Sequence, residues 1–117
     1  MTISVYGLKN CDSCRAARRW LEQHNVAHEF VDIREHELDS GALARWAQAT
    51  HWSILLNRRS TTWRQLADTE KQIDDADGAC RLILQHPTLL KRPVLDGAGE
   101  LLVGFKPADY ARVLETL

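Results

Sequence analysis

Hydrophobic and polar positions alternate through TISVYG (2–7), and apolar residues then recur at helical spacing at Cys14, Ala17 and Leu21. A period of two followed by one near 3.6 predicts a strand, a turn over Gly7 to Asp12, and a helix through SCRAARRWLEQHN (13–25) with Asn25 as its stop. HEFVDI (28–33) returns to a strand pattern, so the first third reads as a βαβ unit with a parallel, right-handed crossover. From Asp39 to Gln85 the pattern is helical in short pieces. Asp39 or Ser40 can cap ALARWAQAT, Ser53 a short piece through Leu56, Ser60 to Thr62 can begin TWRQLA, and Asp74 or Asp75 can begin DGACRLILQH. Pro87 and Pro93 bracket a loop. VLDGAGELLVGF then gives two short strands around a glycine-containing turn, and Pro107 suits the first turn of a last helix, PADYARVLETL.

The order β-α-β, helical block, β-β-α predicts an α/β fold. One four-stranded mixed sheet, the thioredoxin-like arrangement, carries a helical insertion at about residues 39–86 within a single domain spanning 1–117. The length of 117 residues suits one core, and 44% hydrophobic with 26% charged residues is ordinary globular composition. Fifteen basic against sixteen acidic residues give a net charge of -1, so no global field favours nucleic acid or anionic lipid, and neither is expected as a partner. No apolar run approaches the roughly 20 residues of a bilayer span, and MTISVYG does not read as a leader, so a cytoplasmic protein is expected.

Three cysteines do not make a disulfide framework, and in a reducing compartment a close pair points to redox chemistry or metal. Cys11 and Cys14 lie three apart where the first strand feeds the first helix. A cysteine at a helix start meets unpaired N–H groups and the positive end of the dipole, which favour thiolate over thiol. Cys14, one turn on and on the core stripe, is within disulfide reach. That arrangement makes Cys11 the attacking sulfur and Cys14 the resolving one. A zinc site needs two more ligands at suitable spacing, which Cys80 and five scattered histidines do not supply, so no metal is expected. Two unrelated packing thiols remain the bland alternative. Cys80 reads as core packing on a stripe with Ile83 and Leu84, and the four tryptophans, Trp20, Trp46, Trp52 and Trp63, as helix-packing anchors.

Basic residues near the pair supply further candidates. Lys9 precedes Cys11 by two, and Arg58 follows Asn57 at the end of the short Ser53 piece. Arg92 precedes Pro93 in a loop that the thioredoxin-like topology brings beside the helix-start cysteine. Arginine there can hold a carboxylate or oxyanion with two donors and stabilise a thiolate. Arg15, Arg18 and Arg19 read as solvated.

YGLKNCDSCRAARRWLEQHNV, LLNRRSTTWRQL, LILQHPTLLKRPVL and LLVGFKPADY together resemble, in order and over nearly the whole chain, the successive motifs of the ArsC/Spx/YffB family. The resemblance implies catalytic Cys11 and a cis peptide before Pro93. In its arsenate reductases, coupled to glutathione and glutaredoxin, three arginines hold the oxyanion. Here Asn57 occupies the first of those places, Arg92 matches the second and Lys106 falls at the third. LLNRRSTTWR looks more like the YffB branch, which implies a thiol reductase that uses glutathione as co-substrate and no bound cofactor. Its substrate would be a small disulfide or, in the arsenate alternative, an oxyanion. Lys9, Asn57, Arg58, Pro93 and Lys106 are then substrate-binding candidates beside Cys11, Cys14 and Arg92. The CxxC is also the pattern of Spx-type regulators, whose partner is RNA polymerase, but those continue past the final helix.

Overall fold

The computed structural model describes residues 2–115. The chain forms two compact units, one made of the segments up to His36 and from Arg92 onward, the other of Glu37–Lys91.

The first unit carries the sheet. Strand β1 (Ser4–Gly7) lies at its centre, parallel to β2 (Glu29–Asp32) on one side and antiparallel to β3 (Val94–Asp96) on the other, with β4 (Leu102–Val103) beyond β3. The register sets Gly7 opposite Asp32, and Ser4, Val5 and Tyr6 opposite Asp96, Leu95 and Val94. Helix α1 (Asp12–Gln23) links β1 to β2, and α5 (Pro107–Leu114) follows β4. The alternation in β1 buries Val5 and Gly7, and the 3.6 period in α1 buries Cys14, Ala17 and Leu21. These faces meet: Ile3, Val5, Leu95 and Leu102 pack with Ala17 and Leu21 of α1 and with Tyr110, Val113 and Leu114 of α5. Burying each of the larger side chains contributes about 1.5–3 kcal/mol. Trp20 and Phe105 set their rings edge-on to Tyr110, with centroids 5.6 and 4.8 Å away.

The turns follow from local chemistry. Asn25 ends α1 in the left-handed region at φ 56°, where an asparagine costs less than most residues. Gly97, between β3 and β4, has φ 99°, and a Cβ there would run into the Thr2 carbonyl oxygen, so glycine is required twice over. Pro107 sits in the first turn of α5, as its fixed φ and missing N–H permit. Of the expected last helix, Thr116 and Leu117 lie outside the described residues.

In the second unit, α2 (Ser40–Ala49) is capped by Asp39, which accepts from the Ala42 N–H at 3.0 Å, and buries Ala42, Leu43, Trp46 and Ala47. A 3-10 turn follows at Trp52–Leu55, with His51 rather than Ser53 as its cap. The one-turn α3 (Thr61–Arg64) is capped by Ser60, and α4 (Ala76–Gln85) by Asp75. Within Pro87–Leu89, expected as loop, the chain makes a second 3-10 turn. The segment after it pairs with the one after the first: Leu56 bridges Leu90, the Asn57 N–H donates to the Leu89 carbonyl at 2.8 Å, and the Lys91 N–H donates to Leu55 at 2.7 Å.

Two packing expectations change. In α4 the buried stripe is Ala79, Leu82 and Ile83; Cys80 is half-buried and Leu84 exposed. Cys80 and Leu84 line a cavity of about 250 Å³ between α2 and α4 instead of filling the core. Among the tryptophans only Trp46 is fully buried, while Trp20, Trp52 and Trp63 are half-covered.

Candidate active site

Leaving β1, the chain turns through Leu8–Asn10, and the Cys11 N–H closes the turn on the Leu8 carbonyl at 3.3 Å. Cys11 is the N-cap of α1, in extended geometry, and its carbonyl takes the first helical bond from the Arg15 N–H at 2.9 Å. The Cys11 side chain makes no strict capping hydrogen bond, so its sulfur lies at the positive end of the helix in a half-covered position. Cys14 is fully buried beneath it, and both thiols are free. The fit around Cys14 is tight: a Cβ at Gly7 would run into its Sγ and lie 3.6 Å from the Phe30 ring, so no larger residue fits at Gly7 unless the cysteine moves.

The two thiols differ in acidity. Burial pushes Cys11 up, but the Cys14 backbone N–H and thiol, and then the Arg92 guanidinium, act on its sulfur and hold it below the ordinary thiol range. Cys14 is pushed up to about 12, chiefly by burial; the Leu8 N–H lowers it, the neighbouring Cys11 raises it further, and Arg92 lowers it least. A proton shared by the pair therefore rests on Cys14, and Cys11 is the sulfur that ionises more readily.

Arg92 precedes β3, and its peptide bond to the buried Pro93 is cis. Replacing Arg92 by Gln removes a guanidinium that favours the Cys11 thiolate. The pH profile of Cys11 alkylation should move to higher pH, with alkylation at pH 7 slower by ~3- to 10-fold, since each unit of pKa is tenfold in thiolate below the midpoint. An unmoved profile would place Arg92 outside the site.

Lys9 pairs its Nζ with Glu35 Oε1 at 2.7 Å on the exposed surface. Lys106, exposed, is the N-cap of α5; its carbonyl accepts from the Asp109 and Tyr110 N–H groups. Asn57 and Arg58 belong to the second unit. Asn57 Oδ1 accepts from the Arg59 N–H at 3.1 Å, closing an Asx turn, and its carbonyl accepts from Ser60. Arg58 extends over the Trp63 ring, 5.5 Å from its centroid. Within the first unit, then, Cys11, Cys14 and Arg92 interact directly, with Pro93 adjoining.

One residue of this neighbourhood escaped the sequence reading. Asp32, at the end of β2, is buried, and its carboxylate accepts from the Arg34 N–H at 2.8 Å and the Lys9 N–H at 3.3 Å. The available signal was an acidic residue inside the apolar run FVDI. Among the described residues no group of three or more His, Cys, Asp and Glu is arranged to hold a metal, and no helix is long and apolar enough to cross a membrane.

The chain and its fold have counterparts among known proteins. A solved structure of a YffB protein superposes with a TM-score of 0.92 at 42% identity, covering 97% of this chain and 99% of that one. An uncharacterized protein of Haemophilus influenzae is 40% identical over 92% of this chain and 95% of its own length. The global transcriptional regulator Spx of Bacillus subtilis (strain 168) is 28% identical over 96% of this chain and 86% of its own. The fold is thioredoxin-like. The ArsC family model matches residues 6–113, and the chain belongs to the ArsC family.

Proposed function

We propose that the protein is a cytoplasmic thiol-disulfide oxidoreductase that reduces small disulfides with glutathione as co-substrate and needs no resident cofactor. The observation that carries this is the Cys11 sulfur at the start of α1, lowered in pKa by the Cys14 amide and thiol and by Arg92. The Cys11 thiolate attacks one sulfur of a disulfide; that S–S bond breaks as a Cys11 mixed disulfide forms, and the released thiolate takes a proton from water. A second thiolate, from glutathione or from Cys14, then attacks the Cys11 sulfur, releases the other half as thiol and leaves a Cys11–glutathione or Cys11–Cys14 disulfide; one further glutathione in the first case, or two in the second, frees the Cys11 thiolate and leaves as glutathione disulfide. Glutathione supplies the two electrons directly, or glutaredoxin delivers them.

Brief exposure to oxidised glutathione followed by peptide mass mapping tests this. Adducts should appear first at Cys11, because Cys14 is buried and Cys80 is raised in pKa by its own burial and by Asp77. Adducts spread equally over the three cysteines would overturn the assignment.

A second reading is a redox-switched regulator, favoured by the likeness to Spx over nearly all of this chain. It requires capture of RNA polymerase that differs between reduced and oxidised protein, with negligible turnover. Arsenate reduction is the competing enzymatic reading.

A further inference from the structure

Where β1 and β2 end side by side at Gly7 and Asp32, both chains turn away, and the last backbone rung is the Ile33 N–H to the Gly7 carbonyl at 3.0 Å. Beyond it the loop to Cys11 is held by side-chain chemistry. Asp32 is the one charged residue buried among the described residues. Its Oδ2 takes the Lys9 N–H, and its Oδ1 takes the Arg34 N–H in the turn after β2. The carboxylate thus extends the β1–β2 ladder by one rung and ties the Cys11 loop to β2. Two bonds of equal length then hold the loop, this one from the Lys9 N–H and the Cys11 N–H to the Leu8 carbonyl, each 3.3 Å.

We propose that Asp32 is a positioning residue for the Cys11 nucleophile: its buried carboxylate grips the Lys9 amide and so sets the sulfur at the start of α1. This rests on the reading of Cys11 as the attacking sulfur. Burial pushes the carboxyl up, but the Arg34 and Lys9 N–H groups, the Lys9 charge and the Glu35 N–H outweigh it and keep Asp32 ionised at neutral pH. The charged side chains nearby are Lys9, paired with Glu35, and Arg18, which stacks on Phe30 at 4.3 Å and is felt by Lys9. A neutral amide at position 32 offers one acceptor oxygen, so one of the two N–H groups loses its partner.

The test compares Asp32→Asn with Glu35→Gln, which breaks the surface pair to Lys9 but leaves the carboxylate in place. Two readouts are used: the pH profile of Cys11 alkylation by iodoacetamide, and the exchange rate of the Lys9 amide. Asp32→Asn should speed Lys9 exchange and slow Cys11 alkylation at pH 7 by ~3- to 10-fold through an upward pKa shift, while Glu35→Gln matches the parent. Faster Lys9 exchange with an unmoved alkylation profile makes Asp32 structural only and overturns the proposal. Should Asp32→Asn not fold, NMR titration of the parent decides. The Lys9 amide shift must follow the Asp32 carboxyl on acidification, and an amide that ignores it overturns the clamp. Because alkylation needs no disulfide substrate, failure to reduce glutathione disulfides leaves this test intact. A parent Cys11 no faster than Cys80 overturns the reading of Cys11 itself.

Discussion

Cys11→Ser should lose disulfide reduction by on the order of 10³-fold or more, the scale on which removal of a nucleophile registers, while Cys14→Ser should stop at a Cys11 mixed disulfide when glutathione is absent. A serine hydroxyl is not ionised at neutral pH and does not exchange with disulfides, so nothing replaces the first step. Cys14 is subtler. In the resting protein its thiol is pushed up to about 12, in part by the neighbouring Cys11, so it is a poor nucleophile as long as Cys11 is a thiolate. Once Cys11 is bound in a mixed disulfide, its negative charge is gone and that share of the penalty on Cys14 goes with it. Resolution by Cys14 is therefore eased by the step it follows, while the larger penalty of burial remains. Mass spectrometry of Cys14→Ser after a disulfide pulse, with and without glutathione, measures this. Turnover equal to the parent with glutathione present would make the mechanism monothiol and leave Cys14 as the buried proton holder.

Arsenate should be reduced at least ~100-fold less efficiently than a glutathione mixed disulfide. An oxyanion beside a thiolate needs cationic donors, and a hydrogen bond to a charged group contributes about 1.5–3 kcal/mol, roughly ten- to a hundredfold each. Two of the three places that the family resemblance gives to arginine hold Asn57 and Lys106. Asparagine supplies no charge, and lysine replaces a planar fork by a point charge. Asn57→Arg with Lys106→Arg should raise arsenate turnover by ~10-fold or more on the same per-bond scale. It should also destabilise the fold by about 0.5–1.5 kcal/mol, because Asn57 Oδ1 now accepts from the Arg59 N–H. Coupled assays with both substrates, and a denaturation curve for the double variant, measure the two effects. Efficient arsenate turnover by the parent would reverse the order.

Elements whose cause is local were legible in the sequence: the α1 stripe of Cys14, Ala17 and Leu21, the stop at Asn25, the start at Pro107, and, to within one residue, the caps at Asp39 and Asp75. The phase of α4 was not, because Leu82, Ile83 and Leu84 are three consecutive apolar residues and periodicity does not say which two go inside. The Leu56–Leu90 bridge is a single rung between two loops and leaves no repeat to read. At the site, the cysteine pair announced itself through spacing and context. The neighbourhood of Arg92 and Cys11 followed from topology. Asp32 acts on an amide far back in the chain, and a lone carboxylate in a strand gives no hint of which N–H it will meet. Asn57 was read through resemblance as part of an anion site; its side chain closes a turn on the Arg59 N–H and its own N–H bonds to the Leu89 carbonyl, neither of which spacing announces.

The central pairing of the sheet, Ser4 with Asp96 through Tyr6 with Val94, joins the two ends of the chain. Contacts so distant in sequence form late, after local ones, because a long loop must be closed before they return any free energy. The β1–α1–β2 segment, with both cysteines and Asp32, can assemble from its own neighbours, but Arg92 reaches Cys11 only when β3 docks. During synthesis the Arg92 share of the lowering is thus missing until nearly the whole chain has been made. Completion of the sheet brings in the last of the groups that act on the Cys11 sulfur.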